Sequence, residues 1–374
     1  MIKKIAFYLP QFHTIPENDK WWGKGFTEWI NVKASRPQFR MHVQPEIPLN
    51  NNYYNLLNPK IQEWQSKLAI DNYIDGFCYY HYWFEGKMLL EKPMEQMLNN
   101  PKIKIPFCIC WANETWSRTW DGQENKILIK QNYSENFKQW EKHFDYLLPF
   151  FKDQRYITDE NRPMLLIYKP HLINNCKDML SFWRKLAKEN GICDLYIGYQ
   201  HCSSFNYDMD SLGFDFGIEF EPFYTVREIK NITKTLKSKI KYVFKHPKNI
   251  IRYTQRHFLN YPIIYDYDEI WHRIVSRTNR KENIFPGAFP SWDNTPRRGR
   301  DANIFYGASP EKFMKYLSQQ LTRIDQLNST KYLFINAWNE WAEGAHLEPD
   351  TRNKYEYLNC IKTATLELKY KLEV

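Results

Sequence analysis

The sequence predicts an α/β protein, a (β/α)8 barrel of the TIM type with loop insertions, and three observations carry that prediction. Eight short apolar runs recur along the 374 residues. They are continuous rather than alternating, which suits strands buried on both faces of a parallel sheet. Between most of them lie polar stretches with apolar residues at helical spacing, so strand and helix alternate. Glycine is scarce, at 13 residues, and neither G-x-G-x-x-G nor a P-loop appears. That counts against the alternative architecture, an open doubly wound sheet.

The first strand is KIAFYLP (4–10), which holds Tyr8 and leads into Gln11, Phe12 and His13. DGFCYYHYW (75–83), IPFCICW (105–111) and MLLIYKP (164–170) are the second to fourth. LYIGYQ (195–200) and FDFGIEF (214–220) follow with a short connection, then IFPGAFPSW (284–292) and YLFINAW (332–338). Residues 58–71 carry Ile61, Trp64, Leu68 and Ile70 at near-helical spacing. Residues 134–151 read as a helix with Ser134 at its N-cap, and 176–190, 310–325 and 354–371 are also helical. No linker, internal repeat or low-complexity tract divides the chain. The expectation is a single catalytic domain over 1–374 with a basic helical insertion at about 223–260.

Composition narrows the function. Hydrophobic residues at 43% and charged residues at 25% exclude wholesale disorder, and the length suffices for a core without disulfide or metal staples. The seven cysteines are scattered, with neither C-x-x-C nor zinc spacing, which reads as reduced, buried thiols in a cytoplasmic protein. IAFYLP near the start is too short for a leader, and no run reaches ~18 apolar residues. The net charge of +9 is concentrated between Arg227 and Arg256, where ten basic residues face one acid, Glu228. Apolar residues there sit three or four apart. The segment is either a solvated helix covering the barrel or a peripheral contact with an anionic membrane or lipid-linked glycan at the inner membrane face. Nucleic acid is not expected, because no binding module accompanies the charge.

In a barrel, reactive groups collect where strands end. Aromatics make up 17% of the chain, and these ends place them beside amides, imidazoles and carboxylates. The candidates are Tyr8 and His13; Trp29 in the first connecting loop with Glu28; Tyr80, His81 and Trp83; Trp111, Asn113 and Glu114; Trp292 and Asp293; and Trp338, Asn339 and Trp341. Flat rings stack on sugar faces and polar groups bond hydroxyls, so the composition points to an oligosaccharide or polysaccharide. The sharpest signal is NAWNEWAEGAHLEPD (336–350), where Glu340 and Glu343 stand three apart. A tight turn would bring both carboxyls to one side, and glycosidic cleavage needs a carboxyl pair of which one is held protonated. Asp208/Asp210 and Asp266/Asp268 are D-x-D pairs of the kind that hold a divalent metal in nucleotide-sugar transferases, but neither ends a buried strand beside a nucleotide-binding turn. No metal and no cofactor is expected.

Five motifs together resemble the WbsX-type proteins of bacterial polysaccharide clusters, a family labelled glycosyltransferases: FYLPQFHTIPENDKWWGKGFTEWINV (7–32), HVQPEIP (42–48), DGFCYYHYWF (75–84), CWANETWSRTWDG (110–122) and NAWNEWAEGAHLEPD. That family in turn resembles the family 99 glycoside hydrolases, barrels acting as endo-α-mannosidases and endomannanases, most strongly at Asn339–Gly344. The resemblance implies Glu343 as general acid/base and Glu340 as the base that takes the substrate's own 2-hydroxyl proton, giving a 1,2-anhydro sugar with overall retention. Ala342 and Ala345 depart from the hydrolases and leave mannose specificity open. The expected activity is a retaining endo-acting hydrolase or transglycosylase on a bacterial polysaccharide or lipid-linked glycan. The alternatives are a nucleotide-sugar glycosyltransferase of lipopolysaccharide or capsule biosynthesis, or a non-catalytic glycan-binding protein.

Overall fold

The computed structural model describes residues 2–118, 123–201, 209–232, 261–278, 283–327 and 331–373. Eight parallel strands form the barrel: β1 (Lys3–Tyr8), β2 (Gly76–Phe84), β3 (Phe107–Trp111), β4 (Arg162–Ile167), β5 (Tyr196–His201), β6 (Phe216–Glu219), β7 and β8 (Tyr332–Ile335). Strand β7 comes in two pieces, Ile284–Phe285 and Gly287–Ala288. The first piece pairs with β6, the second with β8, and β8 pairs with β1, so the ring closes through the break. Pro286 sits at that break; it has no N–H to give, and its carbonyl accepts from Phe334 N at 3.0 Å. Gly287 permits the close approach, since a Cβ there would lie 2.0 Å from the Glu219 carbonyl oxygen.

The helices are α1 (Pro16–Trp22), α2 (Glu28–Ala34), α3 (Pro59–Asp71), α4 (Lys92–Asn99), α5 (Phe137–Phe151), α6 (Cys176–Glu189), α7 (Phe223–Ile232), α8 (Tyr267–Val275), α9 (Thr295–Arg298), α10 (Pro310–Asp325) and α11 (Glu356–Glu373). Sequence chemistry sets several starts: the side chains of Asn58, Asn136, Asp266 and Ser309 accept first-turn N–H groups of α3, α5, α8 and α10. Asn136 therefore caps α5, not the expected Ser134, whose N–H instead bonds Glu85. Between β5 and β6 the described residues 209–215 form turns, as the short connection requires. Of the expected basic insertion, α7 is its first part; 233–260 lies outside the described residues. No described helix is long and apolar enough to cross a membrane. The described cysteines are free; five are buried as expected, whereas Cys193 is exposed.

Strand parity sorts inside from outside. Phe7 of β1 packs on Tyr80 of β2, on Phe220 just beyond β6 and on Phe334 of β8, with centroids 5.3–5.9 Å apart, so these residues fill the barrel interior. Tyr8 points the other way, and its hydroxyl donates to Gln65 of the surrounding helix α3 at 2.7 Å. Successive strand residues face opposite sides, so parity alone decides which side chains can reach the mouth.

The segment after β8 is pinned from two directions. The Asn339 amide accepts from Leu9 N at 2.8 Å and donates to Leu9 O at 3.0 Å, which fastens the segment to the end of β1. Buried Glu348 accepts from Gln65 Nε2 at 2.6 Å, Trp338 Nε1 at 3.1 Å, Trp341 Nε1 at 2.7 Å and the Tyr54 hydroxyl at 2.7 Å. Burial raises its pKa, and its donors act against the rise. Glu348→Leu would strand four buried donors at ~1–3 kcal/mol each, softened by relaxation. The variant is expected to lose roughly 3–5 kcal/mol of unfolding free energy. A urea midpoint within error of wild type would refute this coupling.

Candidate functional site

A cavity of about 540 Å³ opens where the strands end at their C-termini. Leu9 and Gln11 follow β1, β2 supplies Tyr80 and Tyr82, and the stretch after β3 Ala112 and Glu114. Tyr168 and Lys169 follow β4, Trp292 follows β7, and Glu340 and Glu343 follow β8. Both carboxyls of the N-E-W-A-E-G motif thus face one cavity. A single 3₁₀ turn over Trp341–Glu343 brings them together. It ends at Gly344 in the left-handed region (φ 59°), where a Cβ would lie 2.9 Å from Asp293 N. The turn is tied to the end of β7 by Asp293 N donating to Glu343 O at 2.7 Å and Ser291 Oγ donating to Gly344 O at 2.5 Å.

Arg297 of α9 governs the charge. Its guanidinium reaches Glu28 Oε2 at 3.2 Å, Glu340 Oε2 at 3.2 Å and Glu343 Oε1 at 2.5 Å. One buried cation thus faces three carboxyls, two of them fully or nearly fully buried. Burial first, and repulsion from Glu343 second, push Glu340 up to about 8, with Arg297 opposing. Burial also raises Glu343, against Arg297. The Glu340–Glu343 pair therefore titrates as a unit that retains a proton near neutrality, which is the state acid–base chemistry needs.

The sequence candidates divide sharply. Glu340, Glu343, Tyr80, Glu114 and Trp292 line the cavity. His81, Trp83, Trp111 and Asn113 have the wrong parity and lie behind the wall. His81 Nε2 meets His143 Nε2 at 3.0 Å, and burial pushes His81 down to about 3, so it is a neutral core group. Trp83 stacks on His143 at 4.5 Å, and Trp111 donates to Trp83 O at 3.2 Å. Asn113 bonds the backbone N and O of Lys169 at 2.7 and 2.8 Å. Tyr8, Trp338, Asn339 and Trp341 belong to the anchoring of the β8 segment. Trp29 donates to Tyr54 O at 2.8 Å and packs on Trp341, while His13 is wholly buried. Asp293 accepts from Gln44 Nε2 at 2.6 Å and meets His42 Nε2 at 2.7 Å beside a second cavity of about 330 Å³.

Sequence reasoning missed Arg297 and Lys169 as cavity residues, and Gln11 and Tyr82 stand at the strand ends it singled out without being nominated themselves. Tyr82 follows from Tyr80 by the two-residue strand period once the parity is known. Arg297 sits in TPRRGR, which reads as a surface charge run and offers no local sign of burial. Glu28 was visible beside Trp29 but not as a partner of Arg297. Of the D-x-D pairs, Asp266 caps α8, and Asp268 accepts from Lys312 Nζ at 2.6 Å and Tyr316 OH at 2.8 Å. Asp208 lies outside the described residues. Among the described residues no cluster of three or more His, Cys, Asp or Glu could hold a metal.

Removing the clamp exposes its energetics. Arg297→Met leaves three carboxyls without their cation and is expected to cost roughly 3–5 kcal/mol near neutral pH. The folded-state pKa values of Glu340 and Glu343 already lie above the ordinary 4.5, and they rise further without the guanidinium. Stability from a carboxyl with a raised folded pKa is complete below the unfolded value and falls as pH climbs toward the folded one. The melting-temperature deficit should therefore be larger at pH 8 than at pH 5. A deficit of the same size at both would contradict the clamp.

Comparison with known proteins places this geometry. The model of the family described as "Glycosyltransferase WbsX" matches residues 4–361. Two curated relatives, each an "Uncharacterized protein WxcX" from Xanthomonas campestris pv. campestris (strains B100 and ATCC 33913), are 37% identical over 366 residues. The alignment covers 96% of this chain and 49% of theirs, so the chain spans about half the length of those relatives. Among solved structures, the GH99 endo-alpha-mannosidase from Bacteroides thetaiotaomicron matches with TM-score 0.56 at 12% identity, over 100% of both chains. A "Glycoside hydrolase-like protein" matches with TM-score 0.59 at 11% identity, over 97% of this chain and 93% of that one. At those identities the likeness establishes the barrel fold, while the sequence matches establish descent: this chain belongs to the WbsX glycosyltransferase family.

Proposed function

We propose that this chain is a carbohydrate-active enzyme of the retaining, endo-acting hydrolase or transglycosylase type, working on a bacterial polysaccharide or lipid-linked glycan. One observation carries the reading: Glu340 and Glu343 face one aromatic-walled cavity at the barrel mouth and share Arg297. Trp22, Tyr80, Trp116 and Trp292 supply rings for sugar faces, and Gln11 and Asn294 supply amides for hydroxyls.

The chemistry balances within the pair. Glu343 gives its proton to the glycosidic oxygen as the C1–O bond breaks. Glu340 takes the proton from the substrate's 2-hydroxyl, and O2 closes on C1 to form the 1,2-anhydro sugar. In the second half, Glu343 accepts a proton from the incoming water or sugar hydroxyl as that oxygen attacks C1. The C1–O2 bond breaks and Glu340 returns the proton to O2. Two inversions give retention. In the empty site, burial favours the shared proton on Glu340, the less exposed partner, so this cycle requires the bound sugar to bring that proton to Glu343. The family description favours a second reading, transfer from a nucleotide sugar. A thermal-shift series with nucleotide sugars and Mn²⁺ in one arm and iminosugars or cyclitols in the other separates the two.

Glu343→Gln should abolish turnover of the accepted glycan by at least about a hundredfold while leaving melting temperature and glycan affinity near wild type. Wild-type turnover in that variant would remove Glu343 from the chemistry. For wild type, kcat/KM should fall as pH rises past about 8, where the pair gives up its shared proton. Activity flat from pH 7 to 10 would contradict a shared-proton pair.

A further inference from the structure

The cavity holds one more cation than its own acids use. Its charged lining comprises Glu114, Glu340 and Glu343 against Lys169, Arg297 and Arg298. Lys169 pairs with Glu114, and Arg297 is committed to Glu340, Glu343 and Glu28. Arg298 makes no ion pair or side-chain hydrogen bond with any described residue, although it is partly buried and lines the same cavity. Its charge is felt weakly at Glu343, where it favours the ionised form.

Arg298 does not stand alone on that wall. Asn294 immediately precedes α9, and its carbonyl accepts from Arg298 N at 3.0 Å, so one helical turn links the two residues. Asn294 Oδ1 accepts from Asn303 N at 2.7 Å, which sets Asn303 next to it. All three line the cavity, and among the described residues neither Asn294 nor Asn303 spends its side-chain NH₂ on a protein acceptor. The wall therefore offers a guanidinium and two carboxamides as donors to whatever enters. A partly desolvated arginine with no protein acceptor is costly unless a ligand supplies one, and a guanidinium best fits a carboxylate or phosphate, which it can bond through two N–H groups.

We infer that the cavity takes a glycan carrying an anionic substituent, a uronic-acid carboxylate or a sugar phosphate, and that Arg298, with Asn294 and Asn303, is the wall that reads it. The inference rests on the proposed glycan role of the cavity and adds the substrate's charge class. Arg298 is then a specificity residue that makes no hydrogen bond or ion pair with Glu340 or Glu343. The uncommitted guanidinium of Arg298 is a property of this pocket and does not depend on the basic stretch after α7.

The test is calorimetric binding to wild type and Arg298→Gln. One arm holds glucuronate, galacturonate and mannuronate, a second holds glucose, galactose and mannose 1- and 6-phosphates, and a third holds the neutral parent hexoses. At least one anionic sugar should bind wild type about tenfold or more tightly than its neutral parent, an advantage that weakens as salt is raised. Arg298→Gln should erase that advantage with unchanged melting temperature and neutral-sugar affinity. Preference for uronates over phosphates assigns a carboxylate, and the reverse assigns a phosphate. Equal binding of neutral and anionic sugars, no binding of any anionic sugar at 10-millimolar order, or an advantage that survives in Arg298→Gln overturns the inference. The preference could hold in a protein that cleaves and transfers nothing, and that result would sink the enzymatic reading alone.

Discussion

The carboxylate of Glu348 is the interaction on which the mouth of this barrel depends. Four donors converge on it from the β8 segment, from the loop before α3 and from α3 itself. Two of those donors, Trp338 and Trp341, bracket Glu340 in sequence, so the tryptophans act as rigid struts rather than as sugar platforms. Asn339 adds a paired backbone bond to Leu9. Because both indole donors and the Asn339 amide in this stretch are spoken for, Glu340 and Glu343 have few positions available to them. A polar network satisfied at each member rigidifies a site, where one left partly open would loosen it.

On that scaffold Arg297 solves an electrostatic problem. Carboxyls this close in a partly dry pocket repel one another and disfavour each other's ionised form. One guanidinium, forked so that its nitrogens reach Glu28, Glu340 and Glu343 separately, holds negative charge in place without discharging the pair completely. Lysine has a single point of charge and could not span three partners in this way. A similar device recurs at the C-terminal end of β6, where Arg277 meets Glu219, Glu221 and Glu228 and burial raises Glu221 to about 7. The recurrence shows that clustered buried acids around an arginine are a structural habit of this barrel. What sets the Arg297 cluster apart is that Glu340, Glu343 and Arg297 line the cavity at the mouth.

Much of the fold was legible from the chain. All eight expected strands are present, and the helix expectations at 58–71, 176–190, 310–325 and 354–371 match α3, α6, α10 and α11 within a few residues. Those elements are long, strongly apolar or well capped, so local chemistry suffices. The candidate site was legible only where it was linear. Glu340 and Glu343 share one turn, and their spacing together with the flanking Trp338, Asn339 and Trp341 at a strand end nominated them. Parity decides where the residues nominated from strand ends lie: Tyr80 and Glu114 line the cavity, while His81, Trp83, Trp111 and Asn113 lie behind its wall. A strand buried on both faces has no polar side to reveal its register.

The sequence by itself determined the alternation of strand and helix, the aromatic wealth of the strand ends and the acid pair on one turn, because each is written in contiguous residues. Tertiary structure decided which face of each strand looks into the mouth, that Arg297 is a buried clamp rather than a surface charge, and that Arg298 lines the cavity without a protein acceptor. Those facts depend on contacts between segments more than forty and up to about 270 positions apart, such as Arg297 with Glu343 and with Glu28. Local pattern carries no record of a partner that distant, since burial and ion pairing arise only when the barrel closes.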